Sequence, residues 1–485
     1  MAQNFDVVVI GAGPGGYVAA IRAAQHGKKT AVIEREYMGG VCLNVGCIPS
    51  KALITAGHFL HRLEHQAPEM GFTVKSLSHD MAQTQKWKQS VCDRMAGGVE
   101  QLLKGNGVTM IRGEATFKTA HELTVKTKTG TETVMAKNFI LATGSRPIEI
   151  PGFAFDEKFV LSSTGALALT EVPKSLIVIG GGYIGLEIGG MYANFGTKVT
   201  VVEANKSLLM GLADPECVQV VQRRMKKNGV EFLLEAKAKG WTKSGNGVEV
   251  TVEVGGKEQK LKADKVLVTV GRKPNSDQAN LKGIGLEIDA KGFVKVNAQR
   301  RTNIPHIFAI GDIAGQPMLA HKASHEGVLV ADVIAGQNRV YDAKTVPSVI
   351  FVEPEIAAAG VTEEEAKAKG YTELKVAKFP FGANGRAVSL METDGFVKMI
   401  ADAKTNVLLG VHIVGPEASN LISEAALAIE MGARLEDVAL TIHPHPTLGE
   451  TMMEAAEATL GHAIHIIQRP LAAKSAGGAG ARANV

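Results

Sequence analysis

The stretch DVVVIGAGPGG at residues 6–16 decides the fold, and LIVIGGGYIG at residues 176–185 repeats its pattern. In each copy a short apolar strand leads into a glycine-rich turn. A further apolar strand then ends in an acid, which is Glu34 in the first copy and Glu203 in the second. Corresponding positions of the two copies are 169 residues apart. A buried strand, a glycine turn, a helix and a second strand ending in an acid form one βαβ unit, so the chain contains two units of a doubly wound α/β fold.

Each unit has the residues that a dinucleotide site needs. Glycines allow a tight turn and let backbone N–H groups approach a pyrophosphate at the positive end of the helix. The terminal glutamate accepts hydrogen bonds from ribose hydroxyls and repels a 2′-phosphate. A glycine turn alone is a weak signal, but here the strand, helix and acid accompany it twice, which favours two dinucleotides over two turns without a ligand. The candidate binding residues are Gly11, Gly13, Gly16 and Glu34 in the first unit, and Gly180, Gly182, Gly185 and Glu203 in the second.

The two units also close in a similar way, on an apolar strand that meets a turn of glycine and proline. Thr143 and Gly144 lie at the end of the first closing strand and Gly271 at the end of the second, so we include all three among the candidate cofactor-binding residues. A third apolar strand, 308–310, ends in Gly311-Asp312. We expect it to return to the first domain, with the second unit inserted between.

The character of the chain changes at about residue 346, where alternating strands and then a helix over 418–431 predict a separate α+β domain. The small-residue tail after Gln468 is expected to be disordered. The predicted boundaries are 1–148 for the first part of the first dinucleotide-binding domain, 149–272 for the second such domain, 273–345 for the region that completes the first, 346–468 for the C-terminal domain and 469–485 for the tail.

Composition narrows the class of protein. At roughly 100–200 residues per domain, 485 residues make about three or four domains. Lys and Arg (53) nearly balance Asp and Glu (49), so nothing indicates a nucleic-acid partner. Four cysteines do not make a disulfide scaffold. The start of the chain has no targeting pattern, and the longest uncharged run, 7–21, is broken by glycines, so we expect no membrane span and a cytoplasmic location.

Cys42-Leu-Asn-Val-Gly-Cys47 is the first candidate for chemistry. A disulfide between these cysteines would close a very small ring and would be strained and readily reduced. The alternatives are two structural thiols or half of a metal site. Histidines at 58, 61 and 65 follow at helical spacing, but no compact four-ligand pattern appears, so we predict no metal site. The position of the pair, beside the first glycine turn, favours a redox disulfide that faces the cofactor.

Lys51 lies one helical turn after Cys47 if Pro49 opens a helix. An ammonium group there would favour a thiolate at Cys47, although an ordinary surface lysine is the alternative. In the second unit Tyr183 and Glu187 are four residues apart and share a helix face. We expect Glu187 to pair with Lys51, because either charge would be poorly placed if buried alone.

The C-terminal domain contains His443-Pro-His445-Pro-Thr-Leu-Gly-Glu450. Thiol–disulfide exchange needs a group that takes and returns a proton, and histidine does this near neutral pH. Glu450 could orient the imidazole of His445, and Thr447 with Glu450 also fits a capping box at the start of a helix. His443 is the less favoured base, but spacing alone does not choose between the two histidines.

Five motifs follow one another along the chain: the glycine turn at 11–16, the cysteine pair at 42–47 with Lys51, the glycine turn at 180–185, Gly311-Asp312, and His445 with Glu450. Together and in this order they resemble the pyridine nucleotide–disulfide oxidoreductases. The resemblance covers roughly residues 4–468. It implies two Rossmann-like dinucleotide-binding domains, one for FAD and one for NAD, followed by an α+β dimerisation domain. It also implies a homodimer that docks onto 2-oxo acid dehydrogenase or glycine cleavage complexes through their lipoyl domains and core subunits.

The resemblance implies a role for each candidate residue. Glu34 and Asp312 would contact the adenosine ribose and the ribityl chain of FAD, and Glu203 the adenosine ribose of NAD. Cys47 would face the flavin, and Cys42 would exchange with the substrate. Lys51, paired with Glu187, would lie near the flavin, and Tyr183 would lie where nicotinamide stacks. His445 and Glu450 would act from the other subunit. The implied reaction is oxidation of protein-bound dihydrolipoamide to lipoamide, with electrons passing through the cysteines and FAD to NAD.

Other readings are weaker. A member of the family that reduces glutathione needs NADPH, and Glu203 argues against its 2′-phosphate. Mercuric reductases and large thioredoxin reductases use a second redox pair near the C-terminus, whereas the last cysteine here is Cys217. A non-catalytic dinucleotide-binding scaffold would have no need of the cysteine pair and His445.

Overall fold

The computed structural model describes residues 3–468, so the predicted disordered tail at 469–485 lies outside the described residues. The chain divides into two compact structural units, which are larger than the βαβ units of the sequence pattern and are called the first and second unit below. The first runs to Leu212 and resumes over Met225–Ala343, and the second contains Ala213–Arg224 and the chain from Lys344 onward.

The first dinucleotide-binding domain is built on a sheet in which β1 lies between β2 and β5, parallel to both. Its β1 side chains from Val7 to Val9 are fully buried, because a parallel strand is covered on both faces. The elements in chain order are β1 (Gln3–Ile10), α1 (Pro14–Gln25), β2 (Thr30–Glu34), α2 (Gly40–Asn44), α3 (Cys47–His65), α4 (Met81–Gly105), β3 (Thr109–Thr119), β4 (Glu122–Thr127), β5 (Thr131–Leu141) and β6 (Ser145–Pro147).

The second domain repeats this arrangement on a parallel sheet of order β10-β9-β8-β14-β7, beside an antiparallel sheet of order β11-β12-β13. The elements are β7 (Val160–Leu161), α5 (Ser163–Ala166), β8 (Ser175–Ile179), α6 (Tyr183–Asn194), β9 (Lys198–Val202), α7 (Pro215–Lys227), β10 (Glu231–Leu233), β11 (Ala236–Ser244), β12 (Gly247–Val254), β13 (Lys257–Ala263), β14 (Lys265–Val268) and β15 (Arg272–Pro274). Strands β15 and β6 pair antiparallel.

The chain then returns to the first sheet, as the sequence predicts. Strand β16 (Ile307–Ala309) pairs parallel with β5, and a short 3-10 helix, Gly311–Ile313, leads to α8 (Ala320–Ile334). Helices α1 and α8 approach each other closely through two glycines. A Cβ on Gly327 would lie 2.6 Å from the carbonyl oxygen of Gly15, so no larger residue fits at this crossing.

The second unit is an antiparallel sheet of order β17-β18-β21-β20-β19 with helices against it. Val411 and Ile413 of β21 and Met452 of α13 are fully buried in its core. Helix α11 has the bounds that the sequence predicts. The elements are β17 (Ser348–Ile350), β18 (Glu355–Gly360), α9 (Glu363–Ala368), β19 (Leu374–Pro380), α10 (Gly385–Leu390), β20 (Phe396–Asp402), β21 (Leu408–Gly415), α11 (Ala418–Met431), α12 (Leu435–Ala439) and α13 (Glu450–Leu460).

The grouping of Ala213–Arg224 differs from the predicted boundaries, which place this segment inside the domain at 149–272. The reason is an ion-pair network around Lys398, whose side chain is only 4% exposed. Its Nζ lies 3.0 Å from Asp214 Oδ2 and 2.8 Å from Glu216 Oε2, and it also pairs with Glu363. These carboxylates compensate the buried charge and hold the segment in the second unit.

One stretch of the described residues, Gly40–His65, is long and apolar enough to cross a membrane by length and composition, with a mean hydropathy of 1.2. Buried helices of a globular domain pass the same test. Here the stretch consists of two helices, α2 and α3, which separate at Val45 and Gly46. Helix α3 packs against α4 and α6.

Candidate active site

The first glycine turn has the geometry of a dinucleotide cradle. Gly11 has a φ of +99°, and a Cβ there would lie 2.3 Å from the carbonyl oxygen of Ala142, so the position requires glycine. Helix α1 has Gly13 as its N-cap, which has no side chain that could bind the N–H groups of the first turn. Those N–H groups remain available to an anion at the positive end of the helix.

Glu34 is fixed beside this turn. Its Oε2 accepts a hydrogen bond from Ala12 N at 2.7 Å, and its Oε1 accepts one from Glu36 N at 2.8 Å. These bonds hold the carboxylate where the strand ends, next to the helix N-terminus. A ribose hydroxyl that approaches it would meet a preoriented acceptor.

The second turn reproduces this arrangement 169 residues further on. Gly180 has a φ of +105°, and a Cβ there would lie 2.7 Å from the carbonyl oxygen of Thr269. Glu203 Oε2 accepts from Gly181 N at 2.6 Å, as Glu34 does from Ala12, and Glu203 Oε1 accepts from Asn205 N at 2.7 Å. The two turns therefore agree in detail, and each fixes a carboxylate that could accept hydrogen bonds from a ribose.

The residues of the first domain fit FAD. Gly11, Glu34 and Thr143 line one cleft. The Oγ1 of Thr143 is buried and has no hydrogen-bond partner within residues 3–468, so this hydroxyl suits a polar group of a bound molecule. Gly144 follows with a φ of +68°, and Gly271 has a φ of +133° at the equivalent place in the second domain.

Asp312 is tied to the junction of the two dinucleotide-binding domains. Ser145 Oγ donates a hydrogen bond of 2.5 Å to Asp312 Oδ2 and accepts one of 2.7 Å from Arg272 Nε. Arg272 Nη2 also donates to the carbonyl oxygen of Ser145 at 2.7 Å. The sequence patterns indicated Asp312 but neither Ser145 nor Arg272, because no motif in the chain connects these positions.

The two cysteines lie on α2 and at the start of α3. Both are free thiols in this structure, Cys42 half-buried and Cys47 exposed. Helix α3 begins at Cys47, two residues before the expected start at Pro49. The Cys47 sulfur therefore lies at a helix N-terminus, where the partial positive charge favours a thiolate.

The two thiols are electrostatically unequal. A hydrogen bond from Cys42 lowers the pKa of Cys47 to about 7, and the nearby Lys51 ammonium also acts to lower it. The same hydrogen bond, together with burial, raises the pKa of Cys42 well above its usual range. The reduced pair therefore favours the negative charge on Cys47 and the proton on Cys42.

The expected ion pair between Lys51 and Glu187 is present. Lys51 Nζ lies 2.7 Å from Glu187 Oε2, and the Glu187 side chain is only 7% exposed. Ser50 Oγ contacts the same oxygen at 3.5 Å. Tyr183 lies one turn before Glu187 on α6, and burial raises the pKa of its hydroxyl.

His445 and Glu450 form a dyad in the second unit. His445 Nδ1 lies 2.8 Å from Glu450 Oε1, and Glu450 Oε2 accepts from Thr447 N at 2.9 Å. Burial acts to raise the pKa of Glu450, but the Thr447 N–H and the imidazole of His445 hold it below its usual value. The imidazole is 78% exposed, so its other nitrogen is open to a substrate.

Only one of the two hydrogen bonds of the predicted capping box at Thr447 is present among the described residues, the one that Thr447 N donates to Glu450 Oε2. Helix α13 begins at Glu450 with Gly449 as its N-cap, and no side chain caps it. Thr447 Oγ1 instead donates to the carbonyl oxygen of Pro444 at 2.7 Å. The carboxylate of Glu450 is thus shared between the loop backbone and His445.

His443 has a different environment, which spacing could not reveal. Its side chain is only 7% exposed, with Nδ1 2.8 Å from the carbonyl oxygen of Thr441 and Nε2 3.0 Å from Glu424 Oε1. Both ring nitrogens are therefore engaged. Glu424 lies on α11, and no sequence signal indicated it.

No group of three His, Cys, Asp or Glu side chains within residues 3–468 is arranged to hold a metal ion. The first unit offers two thiols and two dinucleotide cradles with their carboxylates, and the second unit offers the imidazole of His445 with Glu450. Such a set suits transfer of two electrons between a dithiol and a pyridine nucleotide through a flavin.

Comparison with known proteins agrees with this geometry. The family model of the pyridine nucleotide-disulphide oxidoreductases matches residues 5–327, and that of their dimerisation domain matches residues 346–456. The chain belongs to this family. The predicted fold class, an oxidoreductase activity, and FAD and NAD as cofactors are thereby confirmed.

Individual members of the family are similar to this chain over nearly its whole length. A dihydrolipoyl dehydrogenase of Geobacillus stearothermophilus is 51% identical over 468 residues, which are 96% of this chain and 99% of the relative. One from Bacillus subtilis (strain 168) is 52% identical over 464 residues, 96% of this chain and 98% of the relative. Among solved structures, LpdA from Mycobacterium tuberculosis is 27% identical with a TM-score of 0.86, covering 94% of this chain and 99% of that one. The flavoprotein disulfide reductase RclA from Escherichia coli is 26% identical with a TM-score of 0.84, covering 94% and 100%.

Proposed function

We propose that this chain oxidises protein-bound dihydrolipoamide to lipoamide and passes the electrons through the Cys42–Cys47 pair and FAD to NAD. The observation that carries the proposal is the cysteine pair itself, with Cys42 on α2 and Cys47 at the N-terminus of α3, one helical turn before the Lys51–Glu187 ion pair. Relatives about half identical over nearly their full length, named for this reaction, support the choice of substrate.

The chain's residues divide the sulfur chemistry between them. In the oxidised enzyme a substrate thiol attacks Cys42, the mixed disulfide forms there, and Cys47 leaves as the thiolate. The second substrate thiol then attacks the substrate sulfur of the mixed disulfide and gives up its proton. The bond to Cys42 breaks and Cys42 leaves as a thiol, so that lipoamide is released and the cysteine pair is left reduced. His445 takes the proton from the attacking thiol at Nε2, while Glu450 holds the Nδ1 proton and stabilises the charged imidazole.

FAD, when bound, accepts the two electrons of the cysteine pair and supplies a hydride to NAD. Lys51 is held by Glu187 beside this chemistry and stabilises negative charge at Cys47. Glu203 supports NAD over NADP, because its fixed carboxylate would repel a 2′-phosphate.

The dimerisation domain supports a homodimer. Exposed large apolar side chains in the second unit are consistent with a covered face, among them Leu427, Met431, Leu440 and Ile442. The proposed active site combines the cysteine pair of one subunit with His445 of the partner subunit. Lipoyl domains and core subunits of 2-oxo acid dehydrogenase or glycine cleavage complexes are the proposed further partners.

A cytoplasmic location belongs to the same proposal. Two of the four cysteines form the proposed redox pair, and the other two, Cys92 and Cys217, are fully buried thiols. Such cysteine use suits a compartment in which structural disulfides are not maintained.

The test is NAD reduction by free dihydrolipoamide, followed at the NADH absorbance, with NADP and with glutathione plus NADPH as alternatives. We expect rapid turnover with NAD only, loss of turnover in Cys42→Ser and Cys47→Ser, and retention in Cys217→Ala, which changes a buried thiol away from the pair. Failure with dihydrolipoamide, or equal turnover with NADP, would overturn the proposal.

A further inference from the structure

Glu326 on α8 is a buried carboxylate that the reaction above does not use. Its side chain is 0% exposed. Oε2 accepts a hydrogen bond of 2.6 Å from the backbone N–H of Gly311. An ionised group is rarely buried without a partner, so the contacts of its second oxygen indicate what it does.

Two cations surround that second oxygen. Arg300 Nη2 lies 3.0 Å and Lys322 Nζ 3.2 Å from Glu326 Oε1. Lys322 Nζ also donates to the carbonyl oxygen of Gly315 at 3.0 Å, and the Arg300 guanidinium lies over the Tyr341 ring, 4.0 Å from its centre. Both contacts are ion pairs, since Glu326 Oε1 has no hydrogen-bond partner within residues 3–468. The Gly311 N–H therefore orients the carboxylate, and the two cations compensate its charge.

The group held by Glu326 is the turn that carries Asp312. Gly311 has a φ of +71°, and a Cβ on it would lie 3.0 Å from the Cβ of Ala323, so this turn lies directly against α8. Asp312 follows immediately and is bound from its other side by Ser145. The two hydrogen bonds, one at Gly311 and one at Asp312, leave the turn little freedom to rotate.

We propose that Glu326 is a positioning residue for FAD: by accepting the Gly311 N–H, it orients Asp312 toward the ribityl chain. This inference rests on the proposed assignment of Asp312 to the FAD site. A hydrophobic side chain of similar volume would fill the space on α8 but would leave the Gly311 N–H buried without an acceptor.

The test is a double-mutant cycle on the dissociation constant of FAD, measured with apoprotein by the quenching of FAD fluorescence. We expect Glu326→Gln and Asp312→Asn each to weaken binding about tenfold, since a neutral amide oxygen accepts a weaker hydrogen bond than a carboxylate. If Glu326 acts through Asp312, the double variant binds FAD about as weakly as the weaker single variant.

The matched control is Asp332→Asn on the same helix. Asp332 is also buried and ion-paired, to Arg22, His26 and Arg339, but it does not contact the Gly311 turn. We expect this variant to lose apoprotein stability while its FAD dissociation constant stays within about twofold of wild type. If Glu326→Gln does not fold, Lys322→Met/Glu326→Gln removes one of the two uncompensated cations and is used in its place.

Three results would overturn the inference or its basis. Equal loss of FAD affinity in Asp332→Asn and Glu326→Gln would mean that only helix stability matters. Losses that multiply in the double variant would show that Glu326 acts independently of Asp312. Unchanged FAD binding in Asp312→Asn alone would instead refute the assignment of Asp312 to FAD.

Discussion

The ion pair between Lys51 and Glu187 should control the ionisation of Cys47 in both directions. Replacing Lys51 with Met removes a cation that lowers the pKa of Cys47 and leaves the Glu187 carboxylate uncompensated, so that pKa should rise. Replacing Glu187 with Gln removes an anion that raises the pKa of Cys47, so that pKa should fall. Both variants are nearly isosteric with wild type and both break the same Lys51–Glu187 ion pair. Each is therefore the control for the other, because loss of the ion pair alone would affect both in the same way.

The magnitude follows from the positions of the charges. Lys51 lies four residues after Cys47 on α3, and side chains at that spacing share a helix face at about 6 Å. A unit charge at about 6 Å and an effective dielectric constant of about 40 contributes roughly 1.4 kcal/mol, or about one pKa unit. Lys51→Met should therefore move the titration of Cys47 from about 7 toward about 8. Glu187→Gln should lower it by less than about one unit, because Glu187 has the smaller effect of the two.

The assay is alkylation of the reduced protein by iodoacetamide over about pH 5 to pH 10, because only the thiolate reacts, with each cysteine quantified by mass spectrometry. Cys92 and Cys217 are internal controls, since both are fully buried and burial raises the pKa of each thiol. They should remain unmodified while Cys47 titrates. Shifts in the same direction in the two variants, or no shift in either, would refute the electrostatic reasoning.

Three further predictions concern the dyad, the nucleotide and acid stability. His445→Gln should lower dihydrolipoamide turnover at least about hundredfold with FAD retained, whereas His443→Gln, with both ring nitrogens engaged in the fold, should cost less than about tenfold; near-normal turnover in His445→Gln would mean that another group is the base. Glu203→Gln should lower the preference for NAD over NADP, as the ratio of kcat/KM, at least about tenfold, and an unchanged ratio would contradict the role of its charge. Burial acts to raise the pKa of Asp332, but His26, Arg22 and Arg339 hold it at about 2 in the folded protein against a usual 3.8, so its stabilisation is complete above about pH 4 and is lost as the pH falls toward 2. Asp332→Asn should therefore reduce the free energy of unfolding by roughly 2 kcal/mol at neutral pH. In urea titrations the difference in unfolding free energy between wild type and variant should become smaller near pH 2, and an unchanged difference would contradict the stabilising role of the Asp332 charge.

The segments that sequence predicted well are those whose signals lie close together along the chain. The βαβ units are specified by an apolar strand, a glycine turn and an acid within about 30 residues, and the close approach at Gly11 and Gly180 explains why glycine is required there. Helix α11 and the pairing of His445 with Glu450 likewise depend on neighbours a few residues apart. Such patterns follow from backbone geometry alone.

Predictions at the ends of elements were less accurate. Helix α3 begins at Cys47 rather than Pro49, and the capping box at Thr447 is only half formed, because the Thr447 hydroxyl bonds to Pro444 while its N–H bonds to Glu450. In both cases several local hydrogen bonds of similar strength are possible, and a sequence motif predicts only one of them.

Sequence by itself determined the two dinucleotide folds, the redox cysteine pair as a candidate and the family resemblance that comparison confirmed. Only the tertiary structure decided that His443 pairs with Glu424, that Lys398 holds Ala213–Arg224 in the second unit, and that Glu326 binds the Gly311 turn. The physical reason is that a buried charge takes whichever partner the packed helices and strands bring within about 3 Å, and such partners have no fixed spacing along the chain.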